Sequence, residues 1–255
     1  YSGDLKSKQT VLKPNFAALL VDLFIKAKLS KGDTIAVGMT GSMPGANIAL
    51  HSACEAMGIV PAIITSIGAS EWGATDSNFT WLDLEKSLFN SGVISHRSKA
   101  VSLGGYSDMY DINPDNGYGG PEGRRLAEKA IKRNDIKRIV NDEKERVSDR
   151  EKIYKNNIND SLLTNYSAFV NIGGGVGSFG VKKKRYGYGI LDKERVLSDT
   201  VDKNNNGIVQ IFAQSDVQLI NIQQIDKLIN NENGISLIKY GIDNEDPDIT
   251  GDGPL

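Results

Sequence analysis

The order of apolar and polar positions divides the chain into a patterned first half, a charged middle and a patterned return. From Asn15, apolar residues recur at helical spacing (Phe16, Leu19, Leu20, Leu23, Phe24, Ala27), which predicts an amphipathic helix. Lys31, Gly32 and Asp33 form a turn signal, and 34–38 is a short apolar run that reads as a buried strand. The segment Thr40 to Gly45 follows, then a helix over about Ala46 to Met57 that Gly58 closes as its C-terminal cap. Val60 to Ile67, rich in β-branched residues, is a second buried strand. Strand, loop, helix and strand within such a short span make a βαβ unit, whose crossover implies parallel strands. Trp81 to Phe89 predicts a further helix and Ala100 to Leu103 a further strand.

Apolar anchors become sparse between Glu122 and Asn159, where Ile131 and Ile136 are among the few. The spacing of opposite charges from Asp142 to Lys152 reads as one or two surface helices, a charged helical insertion over 122–159. Ala168 to Ile172 restores the buried-strand pattern and runs into Gly173, Gly174 and Gly175. Ile208 to Phe212 and Leu219 with Ile220 read as strands, and Ile225 to Ile229 as a short helix. Residues 1–13 read as a polar arm and 243–255 as an acidic tail. Strands that are continuously apolar belong in a sheet covered on both faces. The chain, 1–255, therefore reads as one α/β domain with a mainly parallel sheet and helices on both faces, a Rossmann-like three-layer arrangement.

Composition narrows the partners. A net charge of −2 argues against a nucleic acid or an acidic membrane surface held by bulk electrostatics. Cys54 is the single cysteine, which excludes a disulfide framework and a thiolate metal cluster. No apolar run approaches the roughly 18 residues that span a bilayer.

Candidate chemistry gathers at the strand ends. Thr40, Gly41, Ser42, Met43, Pro44 and Gly45 stand between a strand and a helix, where open α/β sheets bind ligands. The glycines allow close backbone approach, Pro44 suits the first helical turn, and Ser42 is a hydroxyl donor or a nucleophile. Ser66, Gly68, Ser70, Glu71 and Trp72 follow the next strand, so both loops open on one edge. Glu71 and Asp76 are acid or base candidates and Trp72 a pocket wall, the alternative being a helix cap and a core aromatic. Gly173, Gly174 and Gly175 supply a third wall.

Other motifs carry less. The acids and amides from Asp111 to Glu122 sit at calcium-loop spacing but have Asn116 where glycine is needed, so an Asx-rich turn is the reading. Gly175, Gly177 and Gly180 match G-x-G-x-x-G, yet Lys182 to Arg185 and their glycine neighbours follow instead of an amphipathic helix, which a dinucleotide site requires. His51 and His96 are the only histidines and share no metal-ligand spacing. No cofactor or metal is called for.

Several segments together resemble the poly-γ-glutamate system proteins of bacteria: 14–20, Thr40 to Pro44, Ser66 to Gly73, Phe79 to Asp83 and Asn171 to Gly175. The resemblance is densest between Pro14 and Asp83 and looser in the C-terminal third. It implies an accessory role in making or exporting γ-linked glutamate polymer, with the polymer or a glutamate-like ligand, and other membrane proteins of that system, as partners. It also implies a membrane segment preceding Tyr1 and an extracytoplasmic site, the alternative being cytoplasmic. No catalytic residues come with it. Two further readings remain beside it: a hydrolase or transferase of γ-glutamyl amides using Ser42 with Glu71 or Asp76, and a scaffold for a membrane complex.

Overall fold

The structure is a computed structural model that describes residues 5–68, 76–109, 111, 120–142, 144–158, 163–173, 175–180, 186–198, 206–215 and 217–229. The chain runs through α1 (Leu5–Thr10), α2 (Pro14–Lys26), β1 (Thr34–Thr40), α3 (Pro44–Met57), β2 (Val60–Gly68), α4 (Trp81–Asn90) and β3 (Ser98–Gly104). It continues through α5 (Gly120–Asn134), β4 (Lys137–Arg138), α6 (Glu145–Asn157), β5 (Ala168–Ile172), α7 (Val176–Phe179), β6 (Gly189–Ile190), α8 (Lys193–Leu197), α9 (Ile208–Gln214), β7 (Gln218–Ile222) and α10 (Ile225–Ile229). The strands form one sheet in the order β4-β3-β2-β1-β5-β7-β6. All pairings are parallel except β6 with β7.

Side-chain alternation along the strands sorts the core into two layers. Ile35, Val37, Met39, Ile63, Ile67, Val101, Leu103, Val170 and Ile220 face α2, α3, α4, α5 and α10. Ala36, Ala62, Ile64, Ala100, Phe169 and Leu219 face α6, α7, α8 and α9. This is the three-layer arrangement that the apolar pattern predicts. Local signals place several helix ends as read: Pro44 occupies the first turn of α3, and Gly58 ends it at φ 66°. Thr80 and Asp83 form a reciprocal capping box on α4.

The charged stretch is built into the layers. α5 buries Ala127, Ala130 and Ile131, and α6 buries Arg146, Arg150, Ile153 and Tyr154. Among residues 5–13, α1 is helical, Val11 belongs to the core, and Lys8 Nζ donates to the Ser42 carbonyl. One strand reading fails. Ile208 to Phe212 is helical, because Gly207 N–H donates to Gln210 Oε1 at 2.9 Å and so caps α9, and Ile208, Val209, Phe212 and Ala213 fall on one buried face. A short apolar run fits either period, and the cap decides. The acidic tail lies outside the described residues, as does the Lys182 to Arg185 run. No helix among the described residues is long and apolar enough to cross a membrane.

Candidate functional site

The chain moves outward from β1 to β2, β3 and β4, then returns to place β5 on the other side of β1. At such a reversal the loops leave in opposite directions and a crevice opens beyond the strand ends. Here the crevice is a cavity of about 210 Å³. Its lining includes Thr40, Ser42, Ser66, Ser107, Asp108, Arg150, Asn171 and Ser178 with the backbone of Gly38, Gly105, Gly173 and Gly175.

One sheet face explains the polarity. On the α6–α9 side each of the five central strands is apolar until its C-terminal end and then turns polar or small. Ala36 is followed on that face by Gly38 and Thr40, Ile64 by Ser66, Ala100 by Ser102, Phe169 by Asn171 and Leu219 by Asn221. The register brings these together, with Ser102 beside Ser66, Ser66 beside Thr40, Gly38 beside Asn171 and Asn171 beside Asn221. A polar row therefore crosses the sheet under the cavity. Thr65 and Ser98, by contrast, bond to each other at 2.7 Å on the structural side, where Ser98 also meets Glu85.

Asp108 enters the cavity from the turn after β3. That turn holds Gly104 at φ 85° and Gly105 at φ 84°, then Ser107 at φ 56° and Asp108 at φ 65°. Gly104 is required, because a Cβ there would lie 2.5 Å from Gly68 N. Ser107 and Asp108 have no such freedom, and each left-handed residue costs about 1–2 kcal/mol. The turn persists because its surroundings fix it. The Asp108 carbonyl accepts from Asn141 Nδ2 at 2.8 Å, and its carboxyl accepts from Ser102 Oγ at 2.7 Å and from Arg150 Nη2 at 3.1 Å.

Arg150 is fixed as firmly. Its Nη1 donates to the Arg146 carbonyl at 3.0 Å and to Asn141 Oδ1. Asn141 is anchored in turn by Asp111, which accepts from its N–H at 3.0 Å and pairs with Arg138 at 2.6 Å. Arg150 and Asp108 are both about 5% exposed, so the pair is buried. Burial pushes the Asp108 carboxyl above its ordinary range, against the guanidinium and the hydrogen bonds that favour its charge.

The glycine pattern after β5 serves this pair. A Cβ on Gly175 would lie 2.7 Å from Asp108 Cβ, and one on Gly177 would lie 2.3 Å from the Arg150 guanidinium carbon. The G-x-G spacing thus makes room for a carboxyl and a guanidinium. Gly173, at φ 84°, brings the chain against Thr40, whose Cγ2 would be 2.4 Å from a Cβ there.

Of the residues expected from sequence, Thr40, Ser42, Ser66, Gly173 and Gly175 line the cavity together. Gly41, Gly45 and Gly68 are not among its lining residues. Gly41 donates to Ser66 O at 2.8 Å beneath the Ile67 backbone, Gly45 lies against Val11, and Gly68 lies against Gly104. Asp76 is exposed, accepts from Asn78 N–H at 2.7 Å and acts electrostatically on Arg133, so its carboxyl serves the α4–α5 side. Ser70, Glu71, Trp72 and Gly174 lie outside the described residues. Ser42 Oγ bonds the Thr40 hydroxyl at 3.1 Å. Asp111 and Glu122, the ends of the calcium-like spacing, are engaged with Arg138 and Arg125.

Sequence reading missed Asp108, Arg150, Asn171 and Ser178. The available signal was the polar residue at every second position near a strand end, as at Ser102, Asn171 and Asn221. His51 and Cys54 sit in the opposite layer. His51 is buried 6.2 Å from Trp81 and stays neutral, its pKa lowered by burial to about 4, while burial raises the Cys54 thiol to about 12. Compared with protein-family models, curated proteins and solved structures, the chain matches none.

Proposed function

We propose that this protein binds a single γ-glutamyl unit in the cavity at the ends of β1 and β5, as an accessory component of γ-glutamate polymer synthesis or export. The observation that carries this reading is the lining: a guanidinium and a carboxyl held side by side, ringed by Thr40, Ser42, Ser66 and Ser178. A γ-glutamyl unit offers a carboxylate for donors and an amide N–H for an acceptor, which suits such a mixed set. The volume supports a small ligand, since about 210 Å³ lies below the roughly 300–1,000 Å³ of pockets for drug-sized molecules. The polymer itself is suggested by the resemblance of the strand-end loops and by nothing else. An extracytoplasmic location and membrane partners belong to the same reading.

Isothermal titration with γ-linked triglutamate, its α-linked isomer and free glutamate tests it. The γ-linked oligomer is expected to bind at least tenfold tighter than the α-linked one, and Arg150→Gln to abolish the difference. Equal affinity for the two linkages, or no binding of either, refutes the reading.

A further inference from the structure

Arg150 has donors to spare. Its Nη1 serves the Arg146 carbonyl and Asn141 Oδ1, and Nη2 gives one N–H to Asp108. A guanidinium has five N–H groups, and the Nε–H and second Nη2–H meet no other acceptor among the described residues. A Cβ on Gly177 would lie 2.3 Å from both the guanidinium carbon and Nη2 and 2.8 Å from Nε. Those three distances set it over the flat face, so Gly177 covers the face and not the Nε–Nη2 edge. Arg150 lines the cavity, and these are the donors it keeps for an occupant.

Acceptors stand beside them. Asn171 spends its amide N–H groups on the Gly173 carbonyl and on Asn221 Oδ1, which fixes its own Oδ1 as an acceptor. That oxygen takes no hydrogen bond from the described residues. A Cβ on Gly38 would lie 3.6 Å from it and 2.9 Å from Ser178 Oγ, so glycine keeps this part of the floor open. The Asp108 carboxyl accepts from Ser102 on Oδ1 and from Arg150 on Oδ2, and a carboxylate has about four acceptor sites. The left-handed turn at Ser107 and Asp108 holds it against the cavity.

The charges decide what fits. A lone carboxylate on Arg150 would meet the Asp108 carboxyl, and a lone cation on Asp108 would meet the guanidinium. Like charges in a buried site are costly. A ligand with both signs on adjacent atoms sets each against its opposite.

We infer that the cavity recognises the free amino end of a γ-linked chain, with the α-carboxylate on Arg150 and the α-ammonium on Asp108 and the Asn171 carbonyl. The chain itself rests on the γ-glutamyl reading above; the end rests on the paired charges and the unspent donors and acceptors. In a γ-linked chain only the amino-terminal unit has both groups free on one carbon. Every later unit has its nitrogen in an amide, and an α-linked chain has lost the carboxylate of its first unit to the linkage.

Calorimetry on the wild-type chain compares γ-linked triglutamate, the same peptide acetylated at its amino end, free glutamate and N-acetylglutamate, in both configurations. Acetylation is expected to weaken binding about 10- to 100-fold in each pair, the worth of a hydrogen bond to a charged group. Two variants, checked for folding by circular dichroism, place the effect. Asp108→Asn should remove most of the difference between free and acetylated ligands. Gly38→Ala, which adds a methyl to the floor without changing any charge, should weaken free triglutamate about tenfold or more. If Asp108→Asn does not fold, the wild-type series and Gly38→Ala decide. Equal affinity for free and acetylated ligands, or unchanged affinity in Gly38→Ala, overturns the inference. In that case a γ-linked peptide that still outbinds its α-linked isomer leaves the γ-glutamyl reading standing. If glutamate binds and N-acetylglutamate does not, while neither oligomer binds, the charge pairing stands for a free amino acid and the polymer falls. Binding by none of the four overturns both.

Discussion

Arg150, on α6, donates through Nη2 to Oδ2 of Asp108 at 3.1 Å, joining the outermost layer of helices to the turn after β3 across 42 residues of sequence. Both side chains are buried, and each is the other's charge partner. Removing one partner of such a pair costs about 3–5 kcal/mol, whereas exchanging both for apolar groups is often neutral. Arg150→Met is therefore expected to lower the unfolding free energy by about 3–5 kcal/mol, and the double variant Asp108→Leu/Arg150→Met to recover much of it. Denaturant midpoints of wild type, the two single variants and the double variant measure the cycle; a double loss equal to the sum of the two single losses would show that the pair is not coupled.

Gly177→Ala tests the same contact from the other side. Its Cβ would fall 2.3 Å from the guanidinium carbon, and Arg150 is anchored by Asn141, the Arg146 carbonyl and Asp108, so it has no easy retreat. The expected loss is about 1–3 kcal/mol of stability, the range for overpacking a well-filled interior. Ligand affinity should fall together with it. Gly92→Ala is a contrasting control: nothing lies within 4 Å of its Cβ position, and its cost comes only from φ 73°.

Two buried titratable groups in the opposite layer give opposing pH dependences. His51 is lowered from 6.5 to about 4 by burial and by His96, so its contribution is complete above pH 6.5 and is lost as pH falls toward 4. Glu85, raised by burial to about 7, binds its proton more tightly in the folded state; its contribution is complete below about pH 4.5 and is lost as pH rises through 7. Each amounts to roughly 3 kcal/mol at about 1.4 kcal/mol per pH unit. The wild-type stability should therefore be nearly flat between pH 4.5 and 6.5. Glu85→Gln should make it climb with pH over that window, and His51→Leu should make it descend. Thermal melts at half-unit pH steps would reveal either slope, and unchanged profiles in both variants would contradict the assignment.

The N-terminal segment is predicted to matter more than a polar arm should. Val11 is buried against Gly45, and Lys8 reaches the Ser42 carbonyl. Deleting residues 1–13 should cost about 2–3 kcal/mol, near the value of exposing one buried aliphatic side chain and its apolar neighbours. It should also weaken ligand binding more than Lys8→Ala alone. Calorimetry on the two proteins separates loss of packing from loss of the Lys8 contact.

How much of this was legible in the sequence depends on which physical signal a residue carries. The β1-α3-β2 unit could be read because its strands are continuously apolar and Gly58 marks the end of the helix. Ser42 and Ser66, one from each predicted loop, do share a cavity. Ile208 to Phe212 could not be resolved by period, since five apolar-rich residues suit a strand or a turn and a half of helix; the Gln210 cap lies in side-chain geometry. Arg150 was hidden by its company. Flanked by Asp149 and Glu151, it looks like any member of a solvated charged face, and only the packing of α6 onto the sheet singles it out. Asp108 was hidden by irregular backbone, which has no period to betray it.

The seam that forms the cavity joins Ile35 to Ala168 and Gly38 to Asn171, partners made far apart in time during synthesis. Contacts of such long sequence separation are the slow ones, because the intervening chain must be gathered before they repay its entropy. The half-sheet of β1, β2 and β3 can assemble early, yet it has no cavity of its own until β5 docks. A molecule seated there fastens the first-made half of the protein to the last-made half, and stabilises only chains that have finished folding.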